Sequence, residues 1–499
     1  MMETCLIMYD RFIEHVARIA PNKVAMLSFD GSVTFAKMDA DINRLARELL
    51  NTLTPLPKIV AVSYQQMHPH WMLLMALSRL GIATASVADD SLIAAKEVSV
   101  LKPDLIISDA LFDIETQAQV RVLDLEWYSK VVEGPEVEPV RLTLDADRVV
   151  RIAISAGTSA DRHRIDFTAR MLEVAILRMA EQEYIAWVGT EKVERFPVLL
   201  PTLGFGSIHG FLSTLSIWSV CGIVLMVDRE QYPAAITMLK PSLMVISPSQ
   251  LQAILENMPV DIPPVKDLRL VISAGHFPKE LREAVKARLT EHMRILYVTS
   301  ESGIIAGAHI TQVTHDDMAG WIMPWVDVQI VDDQDNILSF GEVGNIRIKS
   351  ADIIDHFYED EEATKRQFRD GWFYPGDLGI LDENGCLRIF GRVDELYNFG
   401  GDKFYANKID QILRVVPGVE DIALFSMPNS SGVPEPWLAI VRGDGFDVDK
   451  VSAVLEKNFH NLPNIRVMWV NQIPRDLTDR VLRYQLSMAA TQQYVATKK

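Results

Sequence analysis

Apolar runs of strand length alternate with stretches of helical period through most of the chain. "KIVAVSY" (58–64) precedes the helical "PHWMLLMALSRLG" (69–81), and "PDLIISD" (103–109) ends at an acidic turn. "RVVRIAI" (148–154) leads through a polar turn into a helical run from Phe167 to about Ala186. "LMVISP" (243–248) precedes another helix, and "LRLVISAG" (268–275) precedes "KELREAVKARL" (279–289). Repeated strand–turn–helix units predict an α/β fold built on parallel strands.

The pattern changes after Gly320. "WVDVQIVDDQDNILSFGEVGNIRIKS" (325–350) predicts short strands joined by Asp, Asn and Gly turns. "GWFYPGDLGILDENGCLRIFGRVDEL" (371–396) continues this β-rich stretch, with Asn384 and Gly385 as a hairpin turn. Beyond Arg392 the pattern is compact α+β. The expected organisation is an N-terminal domain over residues 1–392, holding α/β subdomains and a β-rich subdomain, then a small α+β domain over 393–499.

Composition narrows the function. A chain of 499 residues is too long for one core. Apolar residues at 48% and charged residues at 23% are ordinary for a globular protein. A net charge of −18 argues against a nucleic-acid partner, whose phosphates need clustered Lys and Arg. A small anionic ligand stays compatible, because a local pocket can oppose the global sign. Cys5, Cys221 and Cys386 share no metal-ligand spacing, and no basic segment opens the chain ahead of a long apolar one. Both features predict a cytoplasmic protein. Between Val198 and Val227 there is no Lys, Arg, Asp or Glu, which by length alone suits a membrane span. Pro201, the glycines, His209 and the missing basic flank predict instead a buried helix lining an apolar pocket.

Four stretches carry candidate chemistry. "RIAISAGTSADRHR" (151–164) joins a strand to a loop of small and hydroxyl residues. Backbone N–H groups there can approach a phosphate, although the loop lacks a Walker ending and is equally a plain turn. "YVTSESG" (297–303) offers an aromatic, hydroxyls and the Glu301 carboxylate, for a base and a magnesium ion or for solvent. "GWFYPGDLG" (371–379) sets Asp377 in a turn, where it accepts from a ribose diol or caps the turn itself. "GRVDELYNFGGDKFYANKIDQIL" (391–413) puts Arg392 and Asp394 at the domain boundary.

Taken with "IPRDLTDRVLR" (473–483) and in this order, the four resemble the adenylate-forming superfamily of acyl-CoA synthetases, adenylation domains and luciferases. The resemblance begins at "PNKVAMLSFDGSVTFAKMDADINRLA" (21–46) and covers nearly the whole chain. It implies a mobile C-terminal domain and activation of a carboxylic acid by ATP and Mg²⁺ to an acyl-adenylate, then transfer to a thiol. By that likeness Ser155, Gly157, Thr158 and Ser159 belong to the phosphate loop, and Ala274 and Gly275 wall the adenine pocket. Tyr297 stacks on adenine, Asp377 and Arg392 hold the ribose, and Glu301 meets Mg²⁺. Ser300, Glu301 and Arg480 are the implied catalytic residues, and Asp394 is the implied hinge.

Two departures stand out. Where the family's phosphate loop reads Gly-x-Pro-Lys, this chain has Ala160, Arg162 and His163, leaving Arg162 or Arg164 to restore the charge. Where the terminal motif reads Gly-Lys, it has Asp479 and Arg480. A guanidinium fork keeps the sign of the ammonium but not its shape. Two functions therefore stand: a divergent acid–thiol ligase, or a catalytically impaired relative that binds nucleotide or acyl-adenylate as a regulatory, scaffold or thiolation-only protein.

The resemblance also makes the uncharged 198–227 segment a wall of the acyl pocket, with Gly204, Phe205, Gly206 and His209 as lining candidates. Amino-acid-activating relatives carry an Asp early in this segment, and "LLPTLGFGSIHGF" has no acid. An unpaired buried ammonium is costly, so the expected substrate is a small carboxylic acid without an amino group. The thiol is CoA or the phosphopantetheine of a separate acyl or peptidyl carrier protein.

Overall fold

The structure, a computed structural model, describes residues 11–111, 114–140, 145, 147–155, 162–185, 196–204, 206–259, 262–273, 275, 277–351, 353–399, 402–429, 433–459, 461–463, 465–475 and 481–496. The chain forms two compact units: residues 1–313 with 350–366, and residues 314–349 with 367–499.

The first unit is α/β and contains two mostly parallel sheets. Its strands are β1 (Val24–Leu27), β2 (Ser32–Thr34), β3 (Ile59–Ser63), β4 (Ala83–Ser86), β5 (Leu105–Ser108), β6 (Gln119–Val122), β7 (Val149–Ile154), β8 (Arg164–Thr168), β9 (Val198–Pro201), β10 (Ile223–Leu225), β11 (Leu243–Ile246), β12 (Arg269–Ile272), β13 (Met293–Thr299) and β14 (Gly303–His309). One sheet has the order β6-β5-β3-β4-β7-β8, parallel except for β7 and β8. The other runs β14-β13-β12-β11-β9-β10-β1-β2, parallel between β13 and β1. Every residue of β4, β5 and β11 is buried, as in strands covered on both faces of a parallel sheet.

The helix expected from Phe167 begins later. Arg164–Thr168 is a strand paired antiparallel with β7, and Phe167 faces Arg151 across it. The helix is Ala169–Ala180, capped by Thr168, whose Oγ1 accepts from the Met171 N–H at 3.3 Å. A π-helical turn, Glu181–Ile185, follows it.

The uncharged 198–227 stretch divides into β9, a buried helix (Ile208–Ser219) and β10. Among the described residues no helix is long and apolar enough to cross a membrane. The Phe211 ring of this helix stacks on Trp71 at 5.2 Å and lies under the Arg151 guanidinium at 4.3 Å. Trp218 packs edge-on against Trp71 and donates to the Ala25 carbonyl at 2.9 Å. Gly210 is fixed by space: a Cβ there would lie 2.3 Å from the Leu203 carbonyl oxygen.

The second unit opens with β15 (Met318–Ile322), β16 (Asp327–Val331), β17 (Gly344–Lys349), β18 (Phe368–Arg369), β19 (Trp372–Phe373), β20 (Asp377–Leu381) and β21 (Cys386–Arg392). These form an antiparallel sheet, β18-β19-β17-β20-β21-β15, with β16 beside β17. Asn384 and Gly385 sit in the turn between β20 and β21. A ribbon of β22 (Leu396–Phe399) and β23 (Asp402–Tyr405) follows. Then β24 (Val419–Pro428), β25 (Pro434–Arg442) and β26 (Arg466–Trp469) make a three-stranded sheet. Strand alternation gives that sheet two apolar faces. Ile422, Leu424, Leu438 and Ile440 pack with Ile409 and Leu413 of the helix Ala406–Arg414. Ala423, Phe425, Ala439 and Val441 pack with Leu486 and Ala490 of the helix Arg483–Ala496.

One buried cation ties these pieces together. Arg483 donates to Asp410 at 2.8 Å and to the Leu424 carbonyl at 2.6 Å, and its Nε lies 3.4 Å from Glu395. Asp410 also accepts from the Leu424 N–H at 2.6 Å. Replacing Arg483 by Met strands a buried carboxylate, so Arg483→Met should lower stability by about 3–5 kcal/mol, read as a reduced urea midpoint.

Candidate active site

In a parallel sheet the strands release the chain at one edge, where ligands of open α/β folds bind. In the first unit Thr202 follows β9, Ser247 follows β11, Ser273 follows β12, and Thr299 closes β13. Thr202 donates to the Val245 carbonyl at 2.6 Å, and Gln250 Nε2 donates to the Thr202 carbonyl at 2.8 Å. Gly275 lies two residues beyond Ser273 on the same edge. Tyr297, half-buried in β13, sits at a bulge opposite Ala306. Ser300 and Glu301 occupy the turn into β14, tightened by the Thr299 and Ser302 hydroxyls 2.7 Å apart. The Glu301 backbone carbonyl accepts from the Ile354 N–H at 3.2 Å.

Ser155 and His163 close the stem of the small/hydroxyl loop. The Ser155 N–H donates to the His163 carbonyl at 2.8 Å, and the His163 N–H donates to Ser155 Oγ at 2.9 Å. Three of the residues 357–360 then grip the stem, and the fourth holds the neighbouring Lys102. The His163 ring stacks on Phe357 at 4.4 Å, with Nδ1 2.9 Å from Asp360. Arg164 lies 3.6 Å over the Tyr358 ring while binding both Asp166 oxygens, and Glu359 pairs with Lys102 at 2.6 Å. His163 and Arg164 are therefore committed to the scaffold, and Arg162 is not part of this clamp.

In the uncharged 198–227 segment, Gly204 and Gly206 are exposed and Ser207 donates its N–H to the Gly204 carbonyl at 2.9 Å. His209 is buried, with Nε2 3.0 Å from Glu183 and Nδ1 3.2 Å from Ser273. Sequence reasoning missed Glu183 because it lies outside the segment, in the π-helical turn. Gly157, Thr158, Ser159, Phe205, Ala274 and Arg480 lie outside the described residues.

In the second unit the structure brings three expected residues together. Asp377 opens β20, Arg392 closes β21, and the two are cross-strand partners. Arg392 Nη1 lies 3.3 Å from Asp377 and donates to the Pro375 carbonyl at 2.5 Å, while Nε donates to Asp394 at 3.3 Å. Gly376 has a φ of +79°, and a Cβ there would lie 3.0 Å from Arg392 Nη2. The terminal motif has a pinned stem: Arg475 binds both oxygens of Asp421 at 2.9 Å, and Leu482 N–H donates to the Pro474 carbonyl at 2.8 Å. Arg483, three residues past Arg480, also escaped notice because a buried cation has no periodic signature.

Among the described residues no group of three or more His, Cys, Asp or Glu could cage a metal. Mg²⁺ needs no such cage, because it is commonly held by one or two carboxylates and the phosphates of its substrate.

An α/β first unit followed by a unit with an antiparallel sheet is the fold class the adenylate-forming resemblance implies. The chain belongs to the family described as AMP-binding enzyme, whose sequence model matches residues 13–358. It is 24% identical to a putative acyl-CoA synthetase of Bacillus subtilis, over 73% of this chain and 67% of that one. It is 22% identical to the 3-hydroxybenzoate–CoA/4-hydroxybenzoate–CoA ligase of Thauera aromatica, over 93% of each. Its fold matches that of the O-succinylbenzoate coenzyme A synthetase of Bacillus subtilis, solved in complex with ATP and magnesium ion. The TM-score is 0.81 at 16% identity, covering 95% of this chain and 98% of that one.

The Ala363 backbone N–H, then the His163 ring, holds the Asp360 carboxyl below its usual range. A depressed folded pKa stabilises above the unfolded value of about 4 and is lost as pH falls through the folded value. Asp360→Asn should therefore weaken the acid-side fall in melting temperature, measured from neutral pH downward.

Proposed function

We propose that the chain activates a carboxylic acid lacking an amino group with ATP and Mg²⁺, and passes the acyl group to a thiol. A carboxylate oxygen attacks the α-phosphorus and pyrophosphate leaves. A thiolate, from CoA or from the phosphopantetheine of a carrier protein, then attacks the acyl carbonyl and AMP departs. What supports this most is the Asp377–Arg392 pair, facing across two strands with Gly376 leaving room for the guanidinium, in a chain of the AMP-binding family. The CoA ligases among its relatives support it further.

In this reading Tyr297 stacks on adenine against the backbone of Ala274 and Gly275, and Asp377 and Arg392 receive the ribose hydroxyls. Ser155, Gly157, Thr158 and Ser159 supply the phosphate loop, with Arg162 as its cation. Glu301 with Ser300 holds the metal side; bound Mg²⁺ supplies charge neutralisation on the phosphates. Gly204, Phe205, Gly206 and His209 border the acid. Residues 393–499 form the moving domain, with Asp394 as its hinge. Arg480 offers positive charge to the developing phosphorane. A misplacement of about 1 Å costs on the order of 100-fold in rate.

A second reading, nucleotide binding without efficient adenylation, is favoured by one observation: His163, at the loop position of the family lysine, is pinned by Asp360 and Phe357. ATP–pyrophosphate exchange with a pooled carboxylic-acid library separates the two. We expect exchange by the native chain, raised about 10-fold or more in Arg480→Lys; exchange only in the lysine variant would establish the second reading. Asp377→Ala should weaken ATP binding about 10-fold or more by calorimetry, and unchanged affinity would remove Asp377 from the ribose site.

A further inference from the structure

Glu183 is a buried carboxylate with half of its hydrogen bonding in place. Its side chain is fully enclosed. One oxygen, Oε1, accepts from Ser213 Oγ at 2.8 Å and lies 3.0 Å from His209 Nε2. The other, Oε2, is buried and has no hydrogen-bond partner among the described residues. A native fold rarely leaves a carboxylate oxygen in that state, because an unmet buried acceptor is strongly unfavourable.

The surroundings point to a ligand. Glu183 sits in a π-helical turn, a device frequently found at functional sites. The turn is fixed to β13 by Arg294, which donates to the Gln182 carbonyl at 3.0 Å and to Gln182 Oε1 at 2.7 Å. Through His209 Nδ1 the network reaches Ser273, the first residue past β12. It therefore lies at the carboxyl edge of the parallel strands, where open α/β sheets bind their ligands.

We propose that Glu183 selects the acid: Oε2 accepts a hydrogen bond from a hydroxyl group carried by the carboxylic acid substrate. This rests on the acid-activating reading and adds the substrate class. A hydroxyl fits better than an ammonium, because His209 and Ser213 already lie against Oε1 and a buried ammonium would have to be desolvated. A pocket built to meet a hydroxyl also rejects the parent acid that lacks it, where a purely apolar wall cannot.

The test is equilibrium binding to the full chain, with Mg-ATP present, by calorimetry. The probes are matched sets: the three hydroxybenzoates against benzoate, and 3-hydroxy and ω-hydroxy alkanoates against their parents and amino counterparts. At least one hydroxy acid should bind about 100-fold or more tighter than its parent. That ratio should fall below about 10-fold in Glu183→Gln and in Glu183→Met, each checked for fold by circular dichroism, and persist in Ser213→Ala. Equal binding of parent and hydroxy acid, preference for the amino acid, no binding by any hydroxy acid, or a ratio that survives in Glu183→Gln would each overturn the proposal. Pyrophosphate exchange on the same samples separates the two claims. Hydroxyl-dependent binding without exchange would sink the activation reading and leave Glu183 in place, whereas exchange without a hydroxyl preference would do the reverse.

Discussion

Parallel strands must all run the same way, and that constraint places nearly everything of interest in the first unit. With β9, β11, β12 and β13 aligned, their carboxyl ends share one edge. Thr202, Ser247, Ser273 and Thr299 emerge there because no sheet partner follows them. The backbone leaves its ladder at these positions, so short hydroxyl side chains close the turns and replace lost backbone partners. Glu183 and His209 join that edge from helical elements, and Tyr297 and Glu301 from the strand and turn beside it.

Electrostatics in this acidic chain is local. Around the loop stem, four successive residues engage three neighbours: Phe357 and Asp360 take His163, Tyr358 takes Arg164, and Glu359 takes Lys102. In the second unit, Arg392 reaches both Asp377 and Asp394, while Arg483 reaches both Asp410 and Glu395. Asp394 and Glu395 are adjacent, so one turn carries the acidic partners of two different arginines. The surface-exposed pairs add little to stability; the buried Arg483 pair is the one whose loss would be felt.

Much of the fold was legible in the residues. The alternation of strand-like and helical periods gives the parallel sheets, and the Asn384-Gly385 turn marks its hairpin. The strand β8 was hidden because Arg164-Ile165-Asp166-Phe167-Thr168 is short and abuts a helical run, and only pairing with β7 decides its state. Asp377, Arg392 and Asp394 stood out by motif, and the structure gathers them. Glu183 and the 357–360 clamp could not be found this way. Their meaning comes from partners 26 residues away at His209, and 197 away between His163 and Asp360, beyond the reach of local periodicity.

Arg483 has a consequence for how the protein comes into being. A chain emerging from the ribosome presents Asp410 and the Leu424 strand well before the residue that neutralises them. Until synthesis passes position 483, burying Asp410 leaves a charge without its main counterion. The three-stranded sheet must then wait, partly solvated, for the final helix to dock. The core around Asp410 therefore closes only when the helix that begins at Arg483 is in place.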